Sequence, residues 1–282
     1  MTPPDAIRPG RELAPGYEVI EHLARSNVLD VYDAWSHERG ARVAVKTPTP
    51  DRLDDRETVN ALRREGRILS VLTHPHLVRA YEVLRGPRPA VVLETLAGET
   101  VSHLVHRRDQ RLSAAELGLL GTHLASAVGY LHGQGLLHLD LKPSNVVAER
   151  GRAKVIDMSV ARSPGRAPPE VGTWCYMAPE QARGGNLTPA ADVWGIGGVL
   201  YEAATGECAF DDGSDEHDYP QLHRRAAPVG SLRPRLPAPL RKAIDASLEP
   251  DPAERPTVTE LAAAFEEVVG LPPDERRLGR DH

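Results

Sequence analysis

The spacing of apolar residues changes once along this chain, and that change limits the folds open to it. From Tyr17 to about Leu96 the apolar residues fall in short β-branched runs between turns: YEVIEHL, VLDVYDAW, ARVAVKT, HLVRAYEVL and PAVVLETL. Such runs predict strands. One helix interrupts them, from Arg56 to about Leu72, with Val59, Leu62, Ile68, Leu69 and Leu72 at helical spacing and Thr73-His74-Pro75 ending it. After the segment LAGET the pattern turns helical. Ser113–Glu116, SAAE, is a capping box opening a helix through Leu131, and further helices fit DVWGIGGVLYEAAT and APLRKAIDASL. Thr257–Glu260, TVTE, starts a last one. Short strands and loops fit the intervening HLDLKPSNVVAERGRAKVIDMSVA. The expectation is an α+β, bilobal fold: a small β-rich lobe with one helix, a larger helical lobe, and a cleft at their join, where ligands often bind.

A chain of 282 residues can bury a sizeable core in two such lobes. The net charge of −6 argues against a nucleic-acid binder working through bulk charge. No apolar run approaches the eighteen or so residues that span a bilayer. Residues 1–16, rich in Pro and Gly, read as a flexible leader. Cys175 and Cys208 have no CxxC spacing and read as two ordinary thiols of a reducing, cytosolic setting. Lysine is scarce: of 34 basic residues only Lys46, Lys142, Lys154 and Lys242 are lysine, so each is informative.

Several motifs recur at fixed intervals. HLDLKPSNVV spans His138 to Val147, and IDMS places Asp157 twelve residues after Asn145. GTWCYMAPEQ runs from Gly172 to Gln181, AADVWGIGGVLYEAATG follows, and DPAERPT contains Arg255. Upstream, VAVK ends in Lys46 and LRREGRILSVL contains Glu65. Together these resemble the catalytic domain of eukaryotic-like (Hanks-type) serine/threonine protein kinases of bacterial type, over about Tyr17 to Val269. The resemblance implies a protein-kinase-like fold with an N-lobe and hinge at 17–96, a C-lobe at 97–270 and a tail at 271–282. It implies ATP and Mg²⁺ (or Mn²⁺). Phosphoryl transfer needs a carboxylate to receive the incoming hydroxyl, a cation on the moving group and oxygen ligands for metal. By resemblance these are Asp140, Lys142, and the metal-binding Asn145 and Asp157. Lys46, held by Glu65, would meet the α- and β-phosphates. Val31, Ala44 and Val147 would sandwich adenine, with Leu93 behind it and the hinge running from Glu94 to Leu96. His138, Glu180, Asp192 and Arg255 would be structural supports. Lys142 and GTxxYMAPE favour Ser/Thr over Tyr substrates. Small-molecule kinases of the aminoglycoside or choline type share H-x-D, but are not expected to carry APE with D-x-W and the late arginine.

Three departures surround the phosphates. The family's G-x-G-x-x-G falls on Ala24, Ser26 and Leu29. Ser26 has a hydroxyl to offer a phosphate, and bulky Leu29 has room if its strand turns it away. Asp-Phe-Gly becomes Asp157-Met158-Ser159, where a thioether fills the phenylalanine's space and a Cβ restricts the backbone. The arginine before the catalytic aspartate is Leu139, so a phosphate on the activation loop has no partner there, and Ser163 and Thr173 are the candidate phosphosites. The expected function is a cytoplasmic Ser/Thr protein kinase not switched by activation-loop phosphorylation. Its partner would be a protein substrate or regulator, with no nucleic acid and no membrane in this chain. The alternative is a pseudokinase, a nucleotide-sensing or nucleotide-free scaffold.

Overall fold

The computed structural model describes residues 3–108, 111–210 and 219–270, so the expected tail at 271–282 lies outside the described residues. Two compact units form. The first runs to Ala97 and also takes in Asp157–Ser159; the second holds the rest from Gly98.

The first unit is an antiparallel sheet with one helix. Its strands are β1 (Glu12–Ala14), β2 (Tyr17–Arg25), β3 (Leu29–Ser36) and β4 (Ala41–Pro48), followed after helix α1 (Arg56–Val71) by β5 (Ala80–Leu84) and β6 (Ala90–Glu94). The sheet order is β1-β2-β3-β4-β6-β5. Alternation puts Val19, Tyr32, Ala34, Val43, Val45 and Val92 into one buried cluster. Helix α1 is capped by Asp55, which accepts from the Glu57 amide and the Thr58 hydroxyl. Gly66 lets it lie close to the sheet: a Cβ there would come within 2.7 Å of methyls on Val83 and Val91. That packing carries Glu65, one turn of the same buried face, into the interior.

The stretch expected as a flexible leader packs instead against this sheet. β1 pairs with β2, Ala6 and Leu13 are buried in the core, and the Ile7 amide donates to the Tyr32 hydroxyl at 3.1 Å. Pro and Gly mark the bends of this segment, while its few apolar residues cover the flank of the sheet.

The second unit is mostly helical. It opens with β7 (Glu99–Thr100) and α2 (Val101–Arg108), a helix the sequence pattern did not single out. Next come α3 (Ala114–Gly133), β8 (Val146–Glu149), β9 (Arg152–Val155) and β10 (Gly165–Ala167). Then follow α4 (Pro179–Arg183), β11 (Gly185–Leu187), α5 (Ala190–Thr205), α6 (Val229–Leu232), α7 (Ala238–Ser247) and α8 (Val258–Val269). The boxes expected at Ser113 and Thr257 are both formed and start α3 and α8. α5 is buried on every side, as its uniformly apolar sequence requires. α3 and α8 cross closely at Gly121, where a Cβ would meet the Phe265 ring at 2.7 Å. β8 and β9 form a hairpin edged by β7, and β10 pairs with β11. Among the described residues no helix is long and apolar enough to cross a membrane.

Candidate active site

The sequence-chosen residues gather into two clusters, one in each unit. In the first unit, strand register sets the geometry. Directly opposed residues of an antiparallel sheet share a face. Val31 opposes both Ala24 and Lys46, while Ala44 opposes Asp33 and Leu93. Ala24, Val31, Ala44, Lys46 and Leu93 therefore share one face. Leu29, two residues before Val31 and opposite Pro48, faces the same way. The strand thus gives Leu29 the same side as Val31 and Lys46, so the condition under which it would be turned away is not met.

On that face Lys46 is the hub. Its Nζ donates to both Glu65 oxygens at 2.9 Å and to Asp157 Oδ2 at 2.8 Å. Burial alone favours a neutral amine, but the carboxylates of Glu65 and Asp157 outweigh it and raise the lysine's pKa, so it stays charged. Burial also works against the Asp157 carboxylate, yet the adjacent ammonium and a Ser159 amide donating to Oδ1 at 2.8 Å hold it well below the usual range. Glu65 goes the other way, raised by burial and by Asp157 despite the lysine. The Met158 amide completes the set, donating to Glu65 at 3.3 Å, and its side chain is buried. Ser159 has no positive φ, so the conformation here makes no demand for glycine.

The glycine-free hairpin is closed by its own serine. The Ser26 amide donates to the Leu29 carbonyl at 2.8 Å, and Ser26 Oγ accepts from the Leu29 amide at 3.0 Å and the Val28 amide at 3.4 Å. None of residues 24–29 has a positive φ. The turn is therefore an ordinary L-residue path, and the Ser26 hydroxyl expected for a phosphate is engaged with the backbone. Below it lies a fully buried carboxylate, Asp30, gripped by Arg25 Nε and Nη2 at 2.7 and 2.8 Å and by His22 Nε2 at 2.8 Å. Arg25 also reaches Asp5 of the N-terminal segment. At the end of β6 the Glu94 amide donates to the Arg79 carbonyl and its side chain accepts from the Arg79 amide, and half-buried Leu96 follows.

In the second unit Asp140, Lys142 and Asn145 come together with Thr173. Thr173 Oγ1 donates to Asp140 Oδ1 at 2.6 Å and accepts from Lys142 Nζ at 2.6 Å. Lys142 lies 2.9 Å from Asp140 Oδ2. Asn145 Nδ2 donates to the Asp140 carbonyl and Oδ2 at 2.9 and 3.0 Å, turning the amide oxygen away from Asp140. The loop is held from beneath by buried Asp192, which accepts from the amides of His138 and Leu139 at 2.9 and 2.7 Å and lies 2.8 Å from His132 Nε2. His138 Nδ1 in turn accepts from the Asp140 amide. Arg255 grips Glu180 with two bonds, at 2.6 and 2.9 Å, and its other donors reach the carbonyls of Ala190, Glu249 and Pro250. Val147 lies on β8, opposite Lys154 and Thr100. Ser163 is exposed just before β10. Cys208 Sγ donates to the Cys175 carbonyl at 3.6 Å, a neighbourhood that a separation of 33 positions hid.

Sequence reasoning missed three residues of these clusters: Thr173 as a bridge between Asp140 and Lys142, His132 beneath the loop, and Gln181. The last stands beside the Glu180 that was chosen, and its position after a proline-started turn was the available signal.

An antiparallel sheet carrying a Lys–Glu–Asp cluster, with a helical unit carrying an Asp–Lys–Asn loop, defines a protein kinase fold. The crystal structure of the Mycobacterium tuberculosis PknI kinase domain superposes with a TM-score of 0.72 at 24% identity, covering 93% of this chain and 99% of that one. The chain belongs to the protein kinase domain family, whose model matches residues 17–264. Named serine/threonine-protein kinases are similar to it. PknK of M. tuberculosis is 32% identical over 88% of this chain and 23% of that protein. For PkaA of Streptomyces coelicolor the figures are 32%, 85% and 46%, and for PknA of M. tuberculosis 30%, 88% and 60%. The chain thus spans less than two thirds of each of these relatives.

Proposed function

We propose that this chain is a serine/threonine protein kinase that moves the γ-phosphoryl group of ATP onto a protein hydroxyl. The observation that carries the reading is the Thr173 hydroxyl held between Asp140 and Lys142. An aliphatic alcohol there already donates its proton to the carboxylate and takes an ammonium on its oxygen, the solvation an attacking hydroxyl needs. In transfer, the substrate oxygen forms a bond to the γ-phosphorus, the bond to the ADP oxygen breaks, and the hydroxyl proton passes to Asp140. Lys142 neutralises charge on the moving group. Lys46, kept charged by Glu65 and Asp157, offers its ammonium to the α- and β-phosphates. Val31, Ala44 and Leu93, on one face of the first unit's sheet, would supply apolar surface for adenine.

The residues present fit Mg²⁺ or Mn²⁺: Asp157 is a hard carboxylate donor held ionised by the adjacent ammonium, and Asn145 turns its amide oxygen away from Asp140. When bound, the ion would supply positive charge to the phosphate oxygens, held by those two residues.

Control by activation-loop phosphorylation does not suit this chain. Backbone bonds already order the segment, through the Leu137–Arg162 bridge and the β10–β11 ladder, and Leu139 cannot pair with phosphate. A phosphoryl group on Thr173 would set a dianion beside Asp140. A cytoplasmic enzyme acting on or under the control of a protein partner is the consistent setting.

One observation favours the pseudokinase alternative: the hairpin amides are taken by Ser26. The test is intact mass after incubation with Mg-ATP and a generic protein substrate, beside Asp140→Asn and Lys46→Met. Phosphate gain abolished in both variants supports the enzyme. Absence of transfer in the parent, with no thermal shift from Mg-ATP, supports the scaffold.

A further inference from the structure

Leu139 adopts φ +66°, the left-handed region that a leucine avoids. Such a conformation persists only where the surroundings impose it. Asp192 holds one side of the strained residue, accepting from its N–H. The other side, its carbonyl, is held by a residue outside the expected set. Gln181 Nε2 donates to Leu139 O at 2.8 Å and, with its second hydrogen, to Val171 O at 2.7 Å. Gln181 Oε1 accepts from the Ala178 amide at 3.0 Å, and its main-chain carbonyl accepts from Glu170 at 2.9 Å. The side chain is 2% exposed, so these bonds have no competition from water. Gly172 points to the same carbonyl independently. It has φ +122°, and a Cβ on it would stand 2.6 Å from Leu139 O and 3.1 Å from Gln181 Nε2. The chain therefore comes as near to the Leu139 peptide as glycine allows, and one amide bonds both partners.

We propose that Gln181 is a positioning residue for the Asp140 loop, an uncharged clamp that fastens the segment around Val171 to the strained Leu139 peptide. It does with a neutral amide what an arginine–phosphate pair would do elsewhere, and so keeps Asp140 aimed without modification. The effect on catalysis rests on the kinase reading above; the clamp itself does not.

Two substitutions separate the clamp from a simple helix cap. Gln181→Glu keeps an oxygen for the Ala178 amide at the start of α4, but loses both donors and sets negative charge against two carbonyls. Gln181→Met loses the cap as well. Amide hydrogen exchange across 138–141 and 170–173 should quicken at least tenfold in Gln181→Glu, and kcat should fall at least tenfold with KM for Mg-ATP within twofold. Wild-type exchange in Gln181→Glu, with only Gln181→Met affected, would show a cap alone and overturn the proposal. Should Gln181→Met fail to fold, Gln181→Glu still decides it. A parent without transferase activity would sink the kinase reading, and the exchange comparison would still judge the clamp.

Discussion

Replacing Ser26 by alanine should tighten Mg-ATP binding, a gain from removing a hydrogen-bonding group. If the hairpin lies over the nucleotide's phosphates, their oxygens compete with Ser26 Oγ for the Leu29 amide, bonded at 3.0 Å, and the Val28 amide at 3.4 Å. A neutral hydrogen bond is worth about 1 kcal/mol net, and the longer one less. Phosphate binding in the parent must give up that energy; in Ser26→Ala it need not. The difference corresponds to about a fivefold lower Kd. The same lost bond should lower Tm by about 2–4 °C. Titration calorimetry with Mg-ATP and with adenosine isolates the effect, because adenosine has no phosphate and should bind unchanged. Ser26→Gly should match Ser26→Ala within twofold, since no residue from 24 to 29 has a positive φ that glycine would relieve. An unchanged or weaker Mg-ATP affinity, or an equal gain for adenosine, would refute this reasoning.

Two further outcomes follow from a buried carboxylate and a half-buried histidine. Asp30→Asn breaks the carboxylate's grip on Arg25 and His22, and should cost about 2 kcal/mol, less than the few kcal/mol of a fully buried pair because Arg25 is 25% exposed and keeps Asp5. Thermal denaturation at neutral pH should show a fall of about 4–8 °C, and one under 1 °C would contradict the proposed grip. Burial, with His76 adding to it, lowers the His74 pKa from 6.5 to about 4, and its Nδ1 accepts from the His76 amide. The unfolded chain thus binds more protons between those values, so stability is full above pH 6.5 and lost as pH falls toward 4. The loss should be on the order of 1 kcal/mol after allowing for partial exposure. His74→Asn, which retains an acceptor for the amide, should flatten that part of a pH series of urea midpoints.

What the sequence disclosed about this fold was mainly local. The boxes at Ser113 and Thr257 could be read because donor and acceptor stand three residues apart. The strands of the first unit could be read because valines cluster in short runs between turns. Register was harder. β2 carries irregularities between Val19 and Glu21 and between His22 and Ala24, and each shifts which residues share a face. The side taken by Leu29 needed the knowledge that β3 already begins at Leu29, which its pairing with Pro48 supplies. Short ladders such as β1–β2 and β10–β11 have three or fewer paired positions, too few for an alternating pattern to show. At the site, Lys46, Asp140 and Asp157 were legible because each stands in a short motif, VAVK, HLDLKPSN or IDMS, that carries the family resemblance. Thr173 meets Lys142 and Asp140, 31 and 33 residues away, and Gln181 meets Leu139, 42 residues away; the proline-started turn hints at a cap for Gln181 but not at that distant carbonyl.

The membership of Asp157–Ser159 in the first unit has a consequence for how the protein is made. Synthesis delivers Lys46 and Glu65 early, but the carboxylate that completes their cluster leaves the ribosome only after about ninety more residues, at a few seconds' to tens of seconds' delay. Until then the lysine has one counter-charge, buried Glu65, in place of two, and the nascent sheet can close without the group that fixes its functional face. The first unit is therefore finished by the second half of the chain, and the Lys46 cluster cannot be complete in a chain whose catalytic loop has not yet been synthesised.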